Sequence, residues 1–238
     1  MTTIGIIGTG DMGSAVGAAL RHAGHRVITD LTERSAASRA LAARAGLEDV
    51  RSLSAVLAAA DLVLSIVPPA RASTVARSVC EAAAGTPARG IFVDCNAVAP
   101  ATMRSIGTLL RASGIAVVDV GIVGPAPRQG AAATRFYVSG EGRGRLLELE
   151  VPELAFIDLG AELGRASAIK MAYAALNKGT DALHTAVLMA AERLGVRAEL
   201  MREFRESQSQ AVERMTQRIP YLAATAARFT GEMREIAA

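Results

Sequence analysis

Short apolar segments alternate with longer amphipathic segments through the first half of the chain. The apolar segments cover residues 3–7, 25–31, 62–67, 91–95 and 115–120. Several are apolar at consecutive positions, which is typical of strands buried on both faces of a parallel sheet. The segments between them have helical length, and most begin at, end at or directly adjoin Ser, Pro or Gly. They cover residues 11–23, 35–46, 71–84 and 100–114, with a further helix from residue 52. The pattern predicts an α/β fold with a doubly wound parallel sheet.

This alternation stops after Gly124. Residues 125–145 are rich in Pro and Gly, and the sequence predicts one strand inside them, at 134–139, and a last short strand near 154–157. No strand is predicted from Gly164 onward. The sheet is therefore expected to end before that glycine.

The remaining third of the chain is predicted to be helical. Residues 165–194 lack Pro and hold a single internal Gly, so they can form one helix of up to ~30 residues. A helix over 197–218 is expected next, and Pro220 is expected to break the chain before a short last helix. We therefore predict an α/β domain at 1–162 and an all-α domain at 163–238.

Composition excludes several classes of protein. Apolar residues make up 51% of the chain, which excludes a disordered chain. No charge-free run approaches the ~18 residues of a membrane span, and the opening MTTIGIIG lacks the basic residue of a signal peptide. A net charge of +3 from scattered basic residues does not indicate nucleic-acid binding. Two cysteines, Cys80 and Cys95, are too few for a disulfide framework, so we expect a cytoplasmic protein.

A glycine-rich motif follows the first predicted strand and opens the first predicted helix. Its residues are Gly8, Thr9, Gly10, Asp11, Met12 and Gly13. The first glycine permits a tight turn, the second lets a diphosphate approach the backbone, and the third lets the helix pack against the strand. The helix N-terminus favours an anion, and a second strand follows at the expected distance. The motif predicts a dinucleotide site in a Rossmann domain.

The end of the second strand is expected to select the cofactor. Asp30 lies about 20 residues past the glycines, and a carboxylate there favours NAD through the ribose hydroxyls. Alternation from Val27 instead places Leu31 at the ribose position. A phosphate-binding cluster then follows, made of Thr32, Arg34 and Ser35. This interpretation favours NADP, with NAD still possible, and the alternative for Ser35 is a helix cap alone.

Four ordered blocks resemble the β-hydroxyacid dehydrogenase and 6-phosphogluconate dehydrogenase superfamily. They are IGIIGTGDMGSAVGAALRHAGHRVI at 4–28, DLVLSIVPP at 61–69, DCNAVAP at 94–100 and GRASAIKMAYAALNKG at 164–179. The resemblance implies that the second block lies beside the nicotinamide ribose, with contacts from Ser65, Val67 and Pro68. It implies a nicotinamide contact from Asn96, a homodimer formed through the long helix, and a short, poorly characterised C-terminal domain in the last ~45 residues.

The resemblance places the catalytic lysine at Lys170. Only Lys170 and Lys178 are lysines among 26 basic residues, so an Arg would be expected at an ordinary surface position. A desolvated lysine can exchange its proton near neutral pH, whereas Arg stays protonated. Tyr173 and Asn177 are the further polar candidates on the same helix, and Lys178 is expected to be solvated.

The chain also departs from the family pattern. The family's substrate loop reads Ser-Gly-Gly, whereas here Gly121 precedes Val123 and Gly124, with Val123 at the Ser position. A substrate carboxylate would therefore be bound by the backbone amides of Val123 and Gly124. Ala174 stands where the family often has Asn, and Asn177 where the phosphogluconate branch has Glu. These changes argue against decarboxylation of a sugar phosphate.

We therefore predict an NADP-dependent oxidoreductase that acts on a small hydroxy acid, carbonyl or imine, with Lys170 as general acid–base and no metal. Three alternatives remain open from the sequence. The protein could be a dinucleotide-binding protein without catalysis, an imine-reductase-like enzyme, or a methyltransferase, whose nucleotide loop is also rich in Gly.

Overall fold

A computed structural model describes residues 1–85 and 90–237, and the side chains of residues 224, 225, 227 and 228 lie outside that description. The chain divides into two units, Met1–Met171 and Ala172–Ala237. This division lies inside a long helix, whereas the boundary predicted between residues 162 and 163 precedes that helix. The predicted domain limits stay a prediction.

The first unit contains one eight-stranded sheet and its covering helices. The strands are β1 (Thr3–Ile7), β2 (Arg26–Thr29), β3 (Glu48–Asp49), β4 (Leu62–Ser65), β5 (Ile91–Asp94), β6 (Val117–Val123), β7 (Thr134–Ser139) and β8 (Leu154–Asp158). The helices are α1 (Asp11–His22), α2 (Ala36–Ala45), α3 (Leu53–Ala59), α4 (Ala72–Gly85), α5 (Pro100–Ala112), α6 (Gly144–Leu147) and the start of α7 (Arg165–Arg193). Two 3₁₀ turns lie at Pro69–Arg71 and Glu141–Arg143.

The strand order of the sheet is β3-β2-β1-β4-β5-β6-β7-β8. Strands β1 to β6 are parallel, β7 runs antiparallel to β6, and β8 is parallel to β7. The order reverses between β1 and β4, and doubly wound sheets bind ligands outside the carboxyl ends of the strands at such a point. The predicted α/β architecture, followed by an all-α region, is confirmed.

Successive residues of a strand point to opposite faces of the sheet, and both faces are buried here, which explains the consecutive apolar positions. Leu62 and Leu64 pack into a core on the side of α1 and α2, whereas Val63 packs into a second core on the side of α3, α4 and α5. Both faces of the central strands are therefore covered, as expected for a parallel sheet.

Strand β6 is longer than the sequence predicts. It continues to Val123 because its last residues pair with β7, where Val123 lies opposite Arg135. The segment predicted as a substrate loop is therefore mostly strand, and it ends at Gly124 with φ +123°. Strand β3 was not predicted, because two polar residues carry no strand pattern.

The second unit contains the rest of α7, α8 (Arg197–Ser207) and α9 (Ser209–Ile236). The predicted helix over 197–218 is wrong at two places. It is interrupted at Gln208, next to a Ser207 hydroxyl that bonds to a backbone carbonyl and so competes with the helix ladder. Helix α9 then continues through Pro220, which removes one backbone donor but does not end the helix.

A buried carboxylate joins α7 to α9 in the second unit. Asp181 is 3% exposed and accepts hydrogen bonds from Arg214 at 3.0 Å and from Arg218 at 3.1 Å. Such charge-assisted bonds hold a buried charge that would otherwise be costly.

Lys178 is largely buried, whereas the sequence predicts a solvated side chain. It forms an ion pair with Glu232 and lies over the Phe229 ring, 4.9 Å from the centroid. Its side chain is 16% exposed, so the prediction of a solvated lysine is wrong. Both partners are more than 50 residues away in sequence, where no local pattern could reveal them.

Candidate functional site

The glycine-rich turn joins β1 to α1, and two of its glycines are required by close contacts. Gly8 has φ +98°, and a Cβ there would lie 2.3 Å from the carbonyl oxygen of Ile66. A Cβ at Gly13 would lie 1.9 Å from the carbonyl oxygen of Gly8. A Cβ at Gly10, in contrast, would meet no atom within 4 Å. The turn is closely packed on one side and open beside Gly10.

The start of α1 leaves hydrogen-bond donors for a ligand. Gly10 occupies the N-cap position, and its main-chain oxygen accepts the first helical bond, from Ser14. Within residues 1–85 and 90–237, no side chain caps this helix. The hydroxyl of Thr9 is buried without a hydrogen-bond partner. Free first-turn N–H groups, the helix dipole and the open space fit a dinucleotide diphosphate.

A hollow of about 410 Å³ lies beyond the ends of β1 and β2. Its polar lining comprises Asp30, Thr32, Glu33, Arg34, Arg71, Thr74 and Ser78. Two guanidinium groups and several hydroxyls suit a phosphate, whereas Asp30 suits ribose hydroxyls. Arg71 and Thr74 were missed from the sequence, because they come from the 3₁₀ turn and α4, more than 35 residues after Arg34.

Leu31 and Ser35 do not line this hollow. Leu31 is partly buried against the core, and its N–H donates to Asp49. The hydroxyl of Ser35 accepts from the N–H of Ser38 and caps α2, as the simpler interpretation had it. Strand β2 ends at Thr29, so strand alternation does not extend to Leu31, and its place at the ribose stays a prediction.

Asn96 ties the ends of β4 and β5 together. Its side-chain oxygen accepts from the N–H of Val67 at 2.7 Å, and its side-chain nitrogen donates to the hydroxyl of Ser65 at 3.1 Å. Asn96 is 2% exposed, so its amide serves the loop that carries Val67. Val67 and Pro68 line the hollow described above.

Lys170 lies at the carboxyl end of β6. Its Nζ donates to the carbonyl oxygen of Ile122 at 2.8 Å, which brings the predicted catalytic lysine to the predicted substrate segment. Gly121 allows this approach, because a Cβ there would lie 2.5 Å from the carbonyl oxygen of Ala166 in α7. Val123 is 2% exposed and lies opposite Arg135 in the sheet, whereas the next residue, Gly124, is exposed. Binding of a substrate carboxylate by the backbone amides of Val123 and Gly124 stays a prediction.

Tyr173 and Asn177 belong to the second unit. Tyr173 is 44% exposed. The side chain of Asn177 donates to the carbonyl oxygen of Tyr173 at 2.9 Å and accepts from Arg214 at 3.2 Å. Both the nitrogen and the oxygen of the Asn177 side-chain amide therefore have hydrogen-bond partners. A catalytic role for Tyr173 and Asn177 stays a prediction.

A buried carboxylate fixes the start of the lysine helix. Asp119 accepts from the N–H groups of Gly164 at 3.0 Å and Ser167 at 2.9 Å, and from the Ser167 hydroxyl at 2.7 Å. It therefore caps α7, which sets the position of Lys170 one turn later. No local pattern in the sequence predicts this role, since Asp119 and Ser167 are 48 residues apart and meet only through strand and helix packing.

No group of three or more His, Cys, Asp or Glu side chains among the described residues is placed to hold a metal ion. No helix in those residues is long and apolar enough to cross a membrane.

The family follows from comparison with known proteins. Residues 3–145 match the model described as the NAD binding domain of 6-phosphogluconate dehydrogenase. The chain belongs to this family. Residues 191–238 match a domain of unknown function (DUF1932). The resemblance seen in the sequence is confirmed, and the methyltransferase alternative is removed.

Similar proteins include named dehydrogenases. A conserved protein of unknown function, whose structure is described as similar to 3-hydroxyacid dehydrogenases, is 30% identical with a TM-score of 0.75; the alignment covers 98% of this chain and 87% of that one. The "Probable 3-hydroxyisobutyrate dehydrogenase" of Mycobacterium tuberculosis is 28% identical over 59% of this chain, which spans about half of that protein (47%). An imine reductase from Bacillus cereus shares the fold at 18% identity and a TM-score of 0.67, over 95% of this chain and 77% of its own. The predicted class, an NAD(P)-dependent dehydrogenase or reductase, is confirmed at the level of homologues and structural neighbours.

Proposed function

We propose that this protein is an NADP-dependent oxidoreductase of a small hydroxy acid, carbonyl or imine, with Lys170 as general acid–base. The observation that carries the proposal is the 2.8 Å bond from the Lys170 Nζ to Ile122 at the carboxyl end of β6. Because β1 to β6 are parallel, the glycine-rich turn lies at the same edge of the sheet. The similarity to a 3-hydroxyisobutyrate dehydrogenase supports the substrate class.

The chain's own residues then have separate tasks. A bound nicotinamide cofactor would supply or accept a hydride. Lys170 donates a proton to the substrate oxygen or nitrogen in one direction and removes it in the other. The bond to Ile122 orients its Nζ beside the segment that ends at Gly124, whose exposed backbone is open to a substrate carboxylate.

A preference for NADP rests on the hollow that Arg34 lines. Arg34 and Arg71 line it together with the hydroxyls of Thr32 and Thr74. A guanidinium binds phosphate through strong, often bidentate hydrogen bonds. Asp30 lines the same hollow and is the group that would favour NAD, so the two cofactors must be compared directly.

Arg34→Ala is expected to weaken NADPH binding at least tenfold and to leave NADH binding nearly unchanged, because only NADPH carries the 2′-phosphate. Fluorescence titration of both cofactors measures this. Arg39→Ala, an exposed arginine on α2, is the matched control and should change neither affinity. Equal affinity of the unmodified protein for NADPH and NADH would exclude the preference.

We also infer a homodimer formed through the helical unit. Leu176 and Leu183 lie two helical turns apart on α7 and are 69% and 62% exposed. Large apolar side chains on one helix face usually mark an interaction surface.

Sedimentation at micromolar concentration should therefore give a dimer, and Leu183→Glu should shift it toward monomer by placing a charge in the contact. Leu109→Glu, at an exposed leucine of α5, is the control and should stay dimeric. A monomeric unmodified protein would refute the inference.

One observation favours a second candidate function, dinucleotide binding without turnover. The residue at the family's Ser position is Val123, which is buried and has no hydroxyl. This candidate predicts tight NADPH binding and no oxidation of NADPH with any carbonyl or imine.

A further inference from the structure

Four buried polar side chains form a row across the sheet near the carboxyl ends of its strands. Ser65, Asp94, Asp119 and Ser139 are successive register partners on β4, β5, β6 and β7. Each is at most 1% exposed. Register partners point to the same face, so the two carboxyl groups are neighbours in an interior that holds little water.

The two carboxyl groups have unequal partners. Asp119 accepts four hydrogen bonds, three from the start of α7 and one from the Ser139 hydroxyl at 3.2 Å. These donors favour its charged form, although burial raises the pKa of Asp119 above its usual value. Asp94 accepts one bond, from the N–H of Asn96 at 2.9 Å, and its Oδ2 is buried without a partner.

The surroundings of Asp94 favour a neutral carboxyl. Burial raises the pKa of Asp94 to about 7, and the negative charge of Asp119 acts in the same direction, whereas the hydrogen bonds from Asn96 favour the charged form and limit the rise. Burial also raises the pKa of the adjacent Cys95 thiol, which stays uncharged. On this face, α4 and α5 contribute only exposed charged groups, Arg77, Glu81, Arg104 and Arg111. The start of α7 adds the exposed Arg165 and the half-buried Lys170, whose Nζ donates to the carbonyl oxygen of Ile122. No Lys, Arg or His among the described residues forms an ion pair with Asp94.

Asp94 is connected to the loop that carries Val67 by two hydrogen bonds in series. It holds the backbone of Asn96, and the Asn96 side chain holds the N–H of Val67. The neighbouring Ile66 donates its N–H to Ile7 at 2.8 Å, and its carbonyl oxygen limits the space at Gly8. A displacement at Asp94 would therefore move the loop that lines the cofactor hollow.

We propose that Asp94 is a positioning residue that must carry a proton to hold Asn96 and the Val67 loop in their cofactor-binding arrangement. Loss of the proton places a second charge beside Asp119 with no donor for Oδ2. The group then draws in water or turns away, and the Asn96 to Val67 bond opens. Cofactor affinity therefore falls as the pH rises through the titration of Asp94. This inference rests on cofactor binding, and it is independent of the role proposed for Lys170.

The test compares NADPH dissociation constants of the unmodified protein and Asp94→Asn between pH 6 and pH 8. Asn has the shape of the neutral carboxyl and does not titrate in this range. At each pH, the dissociation constant of the unmodified protein is divided by that of Asp94→Asn. This ratio cancels the titration of the NADPH phosphate, which affects both proteins equally. One proton with a pKa of about 7 predicts that this ratio rises about tenfold from pH 6 to pH 8. Glu141→Gln, which removes an exposed carboxylate, should behave as the unmodified protein.

A ratio that stays constant with pH would overturn the proposal. Hydrogen exchange at the Val67 amide, without ligand, gives a second readout in the unmodified protein. The protection factor of the Val67 amide, corrected for the intrinsic pH dependence of exchange, should fall about tenfold between pH 6 and pH 8. A protection factor that stays constant over this range would also overturn the proposal. Neither readout requires turnover, so a failure of the proposed reductase activity is distinguishable. A protein that binds no NADPH would refute the proposed function, and the exchange measurement would still decide the role of Asp94.

Discussion

Lys170→Met is expected to lower the turnover of an identified substrate by about 10²–10⁴-fold, because that is the usual contribution of a general acid–base. NADPH affinity should change little, since the lysine bonds to the end of β6, where the substrate segment begins. Turnover by NADPH absorbance and binding by fluorescence, on the same preparation, measure both quantities.

Two control variants make this result specific. Lys170→Arg keeps the positive charge but stays protonated at working pH, so it should be as inactive as Lys170→Met. Lys178→Met removes the other lysine, which pairs with Glu232, and should keep the unmodified rate per folded molecule. If Lys170→Met turns over at the unmodified rate, the assignment is wrong and Tyr173 becomes the next candidate.

Gly13→Ala is expected to lower the free energy of unfolding by roughly 1–3 kcal/mol and to abolish dinucleotide binding. The added Cβ would lie 1.9 Å from the carbonyl oxygen of Gly8, a backbone atom, so the turn must move. Thermal denaturation and NADPH titration measure the two effects.

Gly10→Ala separates binding from folding. Gly10 has φ −74° and open space at its Cβ, so the melting temperature should stay close to the unmodified value. NADPH affinity should still fall at least tenfold, because that open space is where the diphosphate is expected to approach the backbone. An unchanged affinity in Gly10→Ala would contradict the proposed location of the diphosphate.

The sheet could be predicted from the sequence because its evidence is local. Apolar runs of strand length can be recognised within a few residues of sequence. Helix caps such as Ser35 and Ser52 likewise accept a hydrogen bond from an N–H only three residues later. The glycine motif and Lys170 could be predicted for the same reason, since a short motif carries them. The structure then brings Lys170 to Ile122, 48 residues away in sequence.

The features that were missed depend on distant pairing. Asp94 and Asp119 become neighbours only through the register of β5 and β6, which no single segment encodes. Arg71 reaches the hollow of Arg34 through the crossover of the chain. Pro220 does not end α9, because a proline removes one backbone hydrogen bond while the other hydrogen bonds of a long helix remain.

The most direct test of the account is NADPH oxidation by the unmodified protein against a panel of small carbonyl acids and cyclic imines. The account predicts turnover of at least one panel member, faster with NADPH than with NADH, and its loss in Lys170→Met. Tight NADPH binding with no oxidation across the whole panel would contradict it and would instead favour a dinucleotide-binding protein without catalysis.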